Sequence, residues 1–338
     1  MSIDNGILVL SGPDVQDILG GRCSEIMQAV RAAYLTHQEG LSCLPHSVFV
    51  RFPDRVKERI IALPAYLGGK DEVAGIKWIS SFPGNHDLGI SRASAIMVLN
   101  SLQTGRPELV LEGSLISAAR TAASAALAAD VMHGPGDIDV LGVVGCGLIN
   151  REIVRFVTSL GRKVGKILVY DLDVKKAAQF GESLASFAGG IAVQACAELN
   201  AVMSQAHVVS FATTAVEPTV SDVSMCRPGT TILHISLRDL VAGVVLTTDN
   251  VVDDVDHALR AQTSLHLAEQ QVGHREFVRG TLAEIMNGSK PARRDAKGIA
   301  VFSPFGLGVL DLALASLVMK HAKAKQQGTR VDRFFEGV

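Results

Sequence analysis

One stretch constrains the fold of this chain more than any other: Asp139-Val-Leu-Gly-Val-Val-Gly-Cys-Gly-Leu-Ile-Asn150. Residues 140–144 form a short apolar run, which is typical of a strand buried on both faces of a parallel sheet. Gly145 and Gly147 end the run, and residues 148–160 then show helical periodicity. Strand, glycine turn and helix in this order predict a dinucleotide diphosphate at the helix N-terminus. Asn150 stands where the usual fingerprint has its third glycine, so the motif alone is incomplete.

Strands and helices alternate after this motif. Apolar runs predict strands at 140–144, 167–170, 191–195, 208–212, 231–235, 251–254 and 299–302. Periodic segments predict helices at 148–160, 174–187, 198–205 and 258–271. The alternation predicts an α/β fold of the Rossmann type, with a doubly wound parallel sheet and right-handed crossovers.

The first part of the chain has a different order of elements. A short strand at 7–10 and two helices, the second running from an N-cap at Ser24 to Gln38, precede a run of strands. These strands are predicted at 48–52, 59–63, 74–80, 95–100 and 109–112. Strands after helices, without alternation, predict a separate α+β domain. An Ala-rich helix at 117–132 connects the two domains, and an amphipathic helix at 307–323 is expected to return to the first. We therefore expect one domain of residues 1–120 and 304–338, and a nucleotide-binding domain of residues 121–303.

Composition and charge exclude several classes of partner. The 338 residues have a net charge of −2, which gives no reason to expect nucleic acid or an anionic membrane. The five cysteines are scattered without a C-x-x-C pair, as in reduced cytosolic proteins. Met1-Ser-Ile-Asp4 shows no sign of a signal peptide, and no apolar run reaches the ~18–20 residues that span a bilayer. The sequence therefore predicts a soluble, cytoplasmic protein.

Asp171 is a candidate for cofactor selection. It follows the second strand of the alternating part, in the motif Tyr170-Asp171-Leu-Asp173. A carboxylate there accepts hydrogen bonds from the adenosine ribose hydroxyls and repels the 2′-phosphate of NADP, so Asp171 favours NAD. Lys175 and Lys176 could still tolerate a phosphate. Alternatively, the carboxylate only caps the next helix, an interpretation that suits Asp173 better than Asp171.

The loop after the fourth strand, Ala212-Thr-Thr-Ala-Val-Glu-Pro218, is a second candidate cofactor contact. In nucleotide-binding folds this loop lies under the cofactor, and Thr213 and Thr214 are small enough to let the backbone approach. An ordinary polar loop is an equally good interpretation of the same residues.

Two charged residues are candidates for the chemistry. Lys77 lies in an otherwise apolar strand, where desolvation would lower its pKa and suit it to proton transfer or imine polarisation. Asp239 ends the motif His234-Ile-Ser-Leu-Arg-Asp239 after the fifth strand, where ligands meet an open α/β sheet. The alternatives are an edge-strand lysine that faces water and a surface ion pair of Asp239 with Arg238. No Ser-His-Asp arrangement or metal-binding cluster stands out, so we expect no metal.

Taken together, these residues resemble the ornithine cyclodeaminase/μ-crystallin family over nearly the whole chain. The matching pieces are Ala62-Leu-Pro-Ala-Tyr66, Gly75-Ile-Lys-Trp78, Ala119-Arg-Thr-Ala-Ala123, Gly145-Cys-Gly147, His234-Ile-Ser236 with Asp239, Phe305-Gly306 and Asp311-Leu-Ala313. Their order and spacing are specific, although no single piece is.

The resemblance implies a role for individual residues. Lys77 matches the active-site lysine of the family and Asp239 its catalytic aspartate, while Arg120 matches the arginine that holds the cofactor diphosphate. Arg51 and Arg92 are the two candidates for binding substrate carboxylates, although the sequence around Arg51 departs from the usual pattern. The full set expected to contact NAD is Arg120, Thr121, Gly145, Gly147, Leu148, Ile149, Asp171, Thr213, Thr214 and Ser236. The resemblance also implies a homodimer formed through the first domain.

A closer resemblance is to the subgroup of the family that takes part in 2,3-diaminopropionate biosynthesis, as in siderophore pathways. It depends on Arg59-Ile-Ile-Ala-Leu-Pro64, Lys77-Trp-Ile-Ser-Ser81, Arg92-Ala-Ser94 and Ser236-Leu-Arg-Asp239. The implied activity is NAD-dependent oxidative cleavage of N-(2-amino-2-carboxyethyl)-L-glutamate to 2-oxoglutarate and 2,3-diaminopropionate. One alternative is another enzyme of the family: an ornithine cyclodeaminase, an alanine dehydrogenase or a ketimine reductase. A second is a non-enzymatic binding protein like μ-crystallin, against which the presence of both Lys77 and Asp239 argues.

Overall fold

The computed structural model describes residues 5–337, without the side chain of His86. Met1–Asp4, on which the prediction about a signal peptide was based, therefore lie outside the described residues. The chain folds into two compact units, one of Met1–Arg120 with Leu307–Val338 and the other of Thr121–Gly306.

The helices and strands are numbered in chain order. Up to the glycine motif they are β1 Ile7–Leu10, α1 Gly12–Leu19, α2 Cys23–Gln38, β2 Ser42–Cys43, β3 Val48–Phe52, β4 Arg55–Leu67, β5 Val73–Ser81, β6 Ala93–Asn100, β7 Pro107–Glu112, α3 Ser114–His133 and β8 Ile138–Val144. After it they are α4 Leu148–Thr158, β9 Val164–Tyr170, α5 Val174–Leu184, β10 Ala192–Ala195, α6 Leu199–Met203, β11 Val208–Phe211, β12 Thr231–His234, α7 Ala242–Thr247, β13 Asp249–Val252, α8 Val255–Ala258, α9 Ser264–Val272, β14 Val278–Thr281, α10 Leu282–Met286, β15 Ala300–Ser303, α11 Gly308–Lys325 and β16 Thr329–Val331.

The first unit is built on a mostly antiparallel sheet. Its strand order is β16-β1-β7-β6-β5-β4-β2, and β3 also pairs with β4. Lys77 on β5 lies opposite Leu63 on β4 and Met97 on β6, so it is on a central strand and not at an edge. Helix α11 packs against α2 and against β4 and β5.

The second unit contains a parallel sheet with the strand order β10-β9-β8-β11-β12-β15-β13-β14. Strand β8 lies between β9 and β11, so the direction in which strands are added reverses on either side of it. Ligands bind open parallel sheets at the carboxyl ends of the strands beside such a reversal. The glycine turn begins at this end of β8. The predicted fold class, a Rossmann-type sheet together with an α+β part, is confirmed.

Two details of the prediction are wrong. Helix α2 begins at Cys23 with Arg22 as its N-cap and no side-chain cap, so Ser24 lies within the helix. The helix predicted at 258–271 is interrupted, because Ala261 and Gln262 have φ values of 54° and 58° in the left-handed region. A new helix, α9, follows instead, with the Thr263 side chain as its cap.

Helix α3 corrects the expectation about membrane-spanning segments. By length and composition it could cross a bilayer, with a mean hydropathy of 1.2 over 18 residues. However, 72% of that window is buried inside the protein. Its small side chains suit this environment, because alanines allow close packing, and Ala122, Ala125 and Ala128 are fully buried. The helix therefore has the burial of a core helix.

Candidate active site

The glycine turn after β8 has two glycines with different functions. Gly145 has φ 91°, and a Cβ at this position would lie 2.6 Å from the carbonyl oxygen of Ala212, so only glycine fits. Gly147 is the N-cap of α4, and apart from its immediate surroundings in the chain no atom of the described residues lies within 4 Å of the position of its missing Cβ. The first amides of a helix have no acceptor within the helix. Gly147 therefore leaves open space for an anion in front of the amides of Leu148 and Ile149.

Asn150, which stands in place of the third glycine, holds the turn by hydrogen bonds. It is fully buried, and its Nδ2 donates to the carbonyl oxygens of Val144 at 2.8 Å and Gly145 at 2.7 Å. Its Oδ1 accepts from the Ser210 hydroxyl at 2.7 Å. These bonds fix the turn to β8 and β11. The turn is therefore well formed, although the sequence fingerprint is incomplete.

Asp171, directly after β9, interacts with this turn. Its Oδ2 accepts from the backbone amide of Cys146 at 2.8 Å, and its Oδ1 accepts from the amide of Asp173 at 3.1 Å. A carboxylate has about four lone-pair positions, so both oxygens can accept further bonds from a ribose. Asp173, and not Asp171, caps α5 through the amides of Lys175 and Lys176. Lys176 Nζ lies 3.7 Å from Asp171 Oδ2.

Asp239 lies at the centre of a buried polar cluster in the second unit. Its carboxylate accepts hydrogen bonds from the hydroxyls of Thr213 and Ser236. Its backbone amide donates to Nε2 of His234 at 3.1 Å, and Nδ1 of His234 lies 3.1 Å from the Ser303 hydroxyl. Asp239 and His234 are both completely buried, so the interpretation of Asp239 as part of a surface ion pair is wrong.

The ionisation of Asp239 follows from this cluster. Burial by itself would raise the pKa of the carboxyl, but His234 and the hydroxyls of Ser236 and Thr213 together lower its pKa below the ordinary value of 3.8. Asp239 is therefore an anion throughout the neutral range.

The chain reaches Asp239 through a strained turn. Leu237 is buried and has φ 68°, a conformation that branched or bulky residues rarely adopt. Its carbonyl accepts from the amide of Ser264 at 2.8 Å, and the next residue, Arg238, donates to the carbonyl of Ala261 at 2.8 Å. These bonds hold the turn that directs the Asp239 carboxylate towards Thr213 and Ser236.

Lys77 belongs to a second buried cluster, within the first unit. Its ammonium lies 2.6 Å from Asp311 Oδ2 and 3.3 Å from the Ser117 hydroxyl, and 2% of the residue is exposed. Arg120 Nε lies 3.1 Å from the other carboxylate oxygen of Asp311. Asp311 is therefore the shared anion between two cations. The interpretation of Lys77 as a lysine that faces water is wrong.

This environment changes the acidity of Lys77. Burial lowers its pKa to about 8, a change that Asp311 opposes and that the positive charge of Arg120 increases. The ammonium therefore remains the main form at neutral pH but can lose its proton in mildly alkaline solution. A group with this pKa can both donate a hydrogen bond to a substrate and exchange a proton.

The remaining predicted residues lie in different surroundings. Arg51 on β3 is exposed, with its guanidinium 5.2 Å from the ring centroid of Phe49. Arg92 is partly buried, and its Nη1 lies 3.4 Å from the Ser81 hydroxyl. Thr121 is partly buried on α3, and Thr214 is exposed after β11. Thr213 and Ser236, which were predicted as cofactor contacts, are bonded to Asp239 in this structure.

Asp311 and His234 are the site residues that the candidate set lacked. Both belong to motifs that support the family resemblance, but neither has a spacing that indicates its contact, because Asp311 is 234 residues from Lys77 in the chain. Among the described residues 5–337, no group of three or more His, Cys, Asp and Glu side chains is placed to hold a metal ion.

A parallel doubly wound sheet, a glycine turn before α4 and an acidic residue after β9 define a dinucleotide-binding protein of the Rossmann class. The chain belongs to the ornithine cyclodeaminase/mu-crystallin family, whose family model matches residues 14–326. The predicted family membership is therefore confirmed.

Several relatives that match nearly the whole chain are dehydrogenases or reductases. The chain is 27% identical to N-((2S)-2-amino-2-carboxyethyl)-L-glutamate dehydrogenase of Staphylococcus aureus, over 97% of this chain and 99% of the relative. A Thermococcus litoralis Delta(1)-pyrroline-2-carboxylate reductase, solved in complex with NADH and L-proline, has a TM-score of 0.89 and 26% identity, covering 96% of this chain and 100% of that one. An archaeal alanine dehydrogenase dimer with bound NAD has a TM-score of 0.86 and 26% identity, covering 97% and 99%. The expectation that the chain is an enzyme, a dehydrogenase of this family, is confirmed.

Proposed function

The predicted cofactor, NAD, is confirmed by solved relatives, and we propose that it binds at the glycine turn. The open space before Gly147 suits a diphosphate at the first turn of α4, and Asp171 keeps lone pairs available for the ribose hydroxyls. The negative charge of Asp171 disfavours a 2′-phosphate. Two solved relatives contain this dinucleotide in its oxidised or reduced form, which supports the same choice.

We propose that the reaction is the oxidative cleavage of N-(2-amino-2-carboxyethyl)-L-glutamate to 2-oxoglutarate and L-2,3-diaminopropionate. The observation that carries the proposal is the burial of two charged groups: the Asp239 carboxylate accepts hydrogen bonds from Thr213 and Ser236. The Lys77 ammonium lies 2.6 Å from Asp311. Oxidation of a secondary amine requires a proton acceptor and a cationic partner for a carboxylate or imine. The Staphylococcus aureus relative, which is named for this substrate, supports the assignment.

Asp239 accepts the proton that the substrate ammonium loses, which leaves a lone pair on nitrogen. Held by the glycine turn and Asp171, NAD would supply the acceptor for the hydride that leaves Cα of the glutamyl half. Asp239 then releases the first proton to solvent and is again a carboxylate. Water adds to the carbon–nitrogen double bond that hydride loss creates and gives up a proton to Asp239, so one proton is released overall for each NADH formed. The carbinolamine breaks its C–N bond, and the proton returns to the leaving nitrogen, which gives the keto acid and the diamino acid.

Lys77 donates a hydrogen bond to the α-carboxylate or polarises the imine. Its protonated form is the one that does this, and Asp311 maintains that form because its negative charge raises the pKa of Lys77. Arg120 would hold the cofactor diphosphate, as a guanidinium suits a phosphate group. Arg51 and Arg92 supply positive charge for the other substrate carboxylates, which fits a tricarboxylate better than ornithine.

Production of NADH tests the proposal. Purified protein is incubated with NAD and the aminocarboxyethyl-glutamate, and 2-oxoglutarate and diaminopropionate are measured. Asp239→Asn and Lys77→Ala should each lower kcat by about 100-fold or more, whereas Asp222→Asn and Lys320→Ala, at exposed positions, should not.

Two other results of this assay would indicate a different function. Turnover of alanine, ornithine or a cyclic imine without turnover of this substrate would replace the proposal with another enzyme of the family. Tight nucleotide binding without turnover of any amine would indicate a binding protein.

We further propose a cytoplasmic homodimer formed through the sheet of the first unit. Val48, Ala62, Trp78 and Ile96 form one row across β3, β4, β5 and β6. Val48 is 61% exposed, Trp78 41% and Ile96 48%, so this row is an apolar surface open to solvent. Exposed apolar patches of this kind are typical of protein interfaces. The dimer of the archaeal alanine dehydrogenase supports a second copy as the partner, and the five free cysteines are consistent with the cytoplasm.

A further inference from the structure

The hydroxyl of Ser236 lies within hydrogen-bond distance of two acceptors, although a hydroxyl carries a single proton. Its Oγ contacts Oδ2 of Asp239 and lies 3.0 Å from the carbonyl oxygen of Phe211. The same carbonyl also accepts from the backbone amides of Ile235 at 2.9 Å and Ser236 at 3.0 Å. The Phe211 carbonyl therefore keeps two partners whichever acceptor the hydroxyl serves, and the hydroxyl is free to turn.

The direction of this hydroxyl depends on whether Asp239 carries a proton. A carboxylate can only accept hydrogen bonds, so Ser236 donates to it. A proton on Oδ2 creates a new donor, and this donor needs an acceptor because Asp239 is completely buried. Oγ of Ser236 becomes that acceptor once its own proton turns to the Phe211 carbonyl. Ser236 therefore completes the hydrogen bonds of both forms of Asp239.

Thr213, whose hydroxyl also contacts Asp239, lacks this freedom. It donates to Oδ1, and its Oγ1 accepts from the amide of Ala215 at 3.1 Å. In the part of the chain that the structure describes, the Thr213 hydroxyl contacts no second acceptor to which its proton could turn. Thr213 therefore donates to Asp239 in both forms, and it favours the carboxylate because a hydrogen bond to a charged group is the stronger one.

We propose that Ser236 is a positioning residue for the proton transfers of Asp239, and that its hydroxyl turns between Oδ2 of Asp239 and the carbonyl oxygen of Phe211 as Asp239 gains and loses a proton. When an N–H bond of the substrate breaks and Oδ2–H forms, the O–H bond of Ser236 stays intact and only changes direction. Release of the proton from Asp239 reverses the turn. Ser236 acts through Asp239 as the proton acceptor, so this role rests on the proposed function.

Titration of Asp239 without substrate tests whether Ser236 serves both forms. The full chain is labelled with carbon-13 at the aspartate carboxyl carbons, and the Asp239 signal is the one that NMR spectra of Asp239→Asn lack. Thr213→Val should raise the midpoint of this titration by about one pH unit, since mainly the carboxylate loses a stabilising bond. Ser236→Ala should raise it by less than about half as much, because the protonated form also loses the acceptor for its O–H. His234, a titratable side chain with Nε2 3.5 Å from Oδ2, is the same in both variants.

Two further substitutions at the same position complete the titration. Ser236→Thr keeps a hydroxyl and should restore the midpoint of the unmodified protein. Ser236→Cys, whose thiol is a weak donor and a weak acceptor, should behave like Ser236→Ala and replaces it if the alanine variant does not fold. A midpoint in Ser236→Ala as high as in Thr213→Val would overturn the proposal, because Ser236 would then serve the carboxylate alone.

Turnover of any amine that the enzyme oxidises gives a second measurement. Ser236→Ala should lower kcat about tenfold while the KM for NAD stays within about twofold, and Ser236→Thr should recover most of the loss. A raised KM for NAD with unchanged kcat would make Ser236 a cofactor contact, as predicted from the sequence, and would contradict a role in proton transfer. If no amine is oxidised but the NMR midpoints differ as expected, the hydrogen bonds assigned to Ser236 stand and only the proposed reaction fails.

Discussion

The side-chain amide of Asn150 donates to the carbonyl oxygen of Gly145 at 2.7 Å, so the residue that breaks the dinucleotide fingerprint also holds the turn in place. A third glycine usually allows close packing between helix and strand. Here a polar side chain fills that space and satisfies three buried polar groups. In this chain the hydrogen bonds of Asn150 therefore hold the turn in place of the close packing that a third glycine allows.

Replacement of Asn150 by alanine should destabilise the protein and loosen the turn. The carbonyls of Val144 and Gly145 and the hydroxyl of Ser210 would each lose a buried partner. We expect the free energy of unfolding in urea to fall by about 3 kcal/mol, and NADH binding, followed by fluorescence, to weaken roughly tenfold through lost preorganisation.

Ser210→Ala is the matched control for this prediction, because it removes one of the three bonds and should cost only about 1 kcal/mol. If Asn150→Ala were no worse than Ser210→Ala, the two carbonyl bonds would not hold the turn. Asn150→Asp should be worse than alanine, since a carboxylate would face two carbonyl oxygens.

The decline of kcat/KM on the alkaline side of the pH profile should reflect deprotonation of Lys77. Its pKa is about 8, below the ordinary value of 10.5, mainly because it is buried. If the protonated form is required, kcat/KM should fall as the pH rises through about 8. In Lys77→Arg the guanidinium stays charged, so any remaining activity should lack this decline. A decline that stayed near pH 8 in Lys77→Arg would assign it to another group.

Substitution of Arg120 and of Asp311, two neighbours of Lys77, should shift the pH dependence of kcat/KM in opposite directions. The positive charge of Arg120 lowers the pKa of Lys77, so Arg120→Gln should shift the decline in kcat/KM to higher pH. Asp311 raises that pKa, so Asp311→Asn should shift the decline to lower pH and cost about 3–5 kcal/mol of stability, because two cations would lose their buried partner. The measurement is the pH profile of kcat/KM at saturating NAD. Shifts in the same direction in both variants would contradict the electrostatic account.

The sequence predicted those parts of the fold that depend on local patterns. Strand β1 was predicted residue for residue, and the glycine turn was correctly placed between β8 and α4, because apolar runs and glycines act over a few residues. The break in the helix predicted at 258–271 was missed. Alanine and glutamine favour helices, and only their surroundings impose the left-handed conformation at Ala261 and Gln262.

The sequence predicted individual residues of the candidate site but not the contacts between them. Lys77 and Asp239 were chosen from the sequence with an exposed alternative left open for each, and burial decides against both alternatives. The contact of Lys77 with Asp311 joins β5 to α11, and no spacing rule connects positions that far apart in the chain.

A charge placed in the exposed apolar row should dissociate the proposed homodimer. Trp78 and Ile96 are directly opposite one another on β5 and β6, and they are 41% and 48% exposed in the single chain. Burial of such a row against a second copy would remove apolar area from water at about 25 cal/mol per Å², and a buried unpaired carboxylate would cancel that gain. We expect Trp78→Asp or Ile96→Asp to be monomeric in size-exclusion chromatography with light scattering, while Leu172→Asp, at an 89% exposed position of the other unit, remains dimeric. Dimers that persist in both row variants would show that the two copies associate through a different surface.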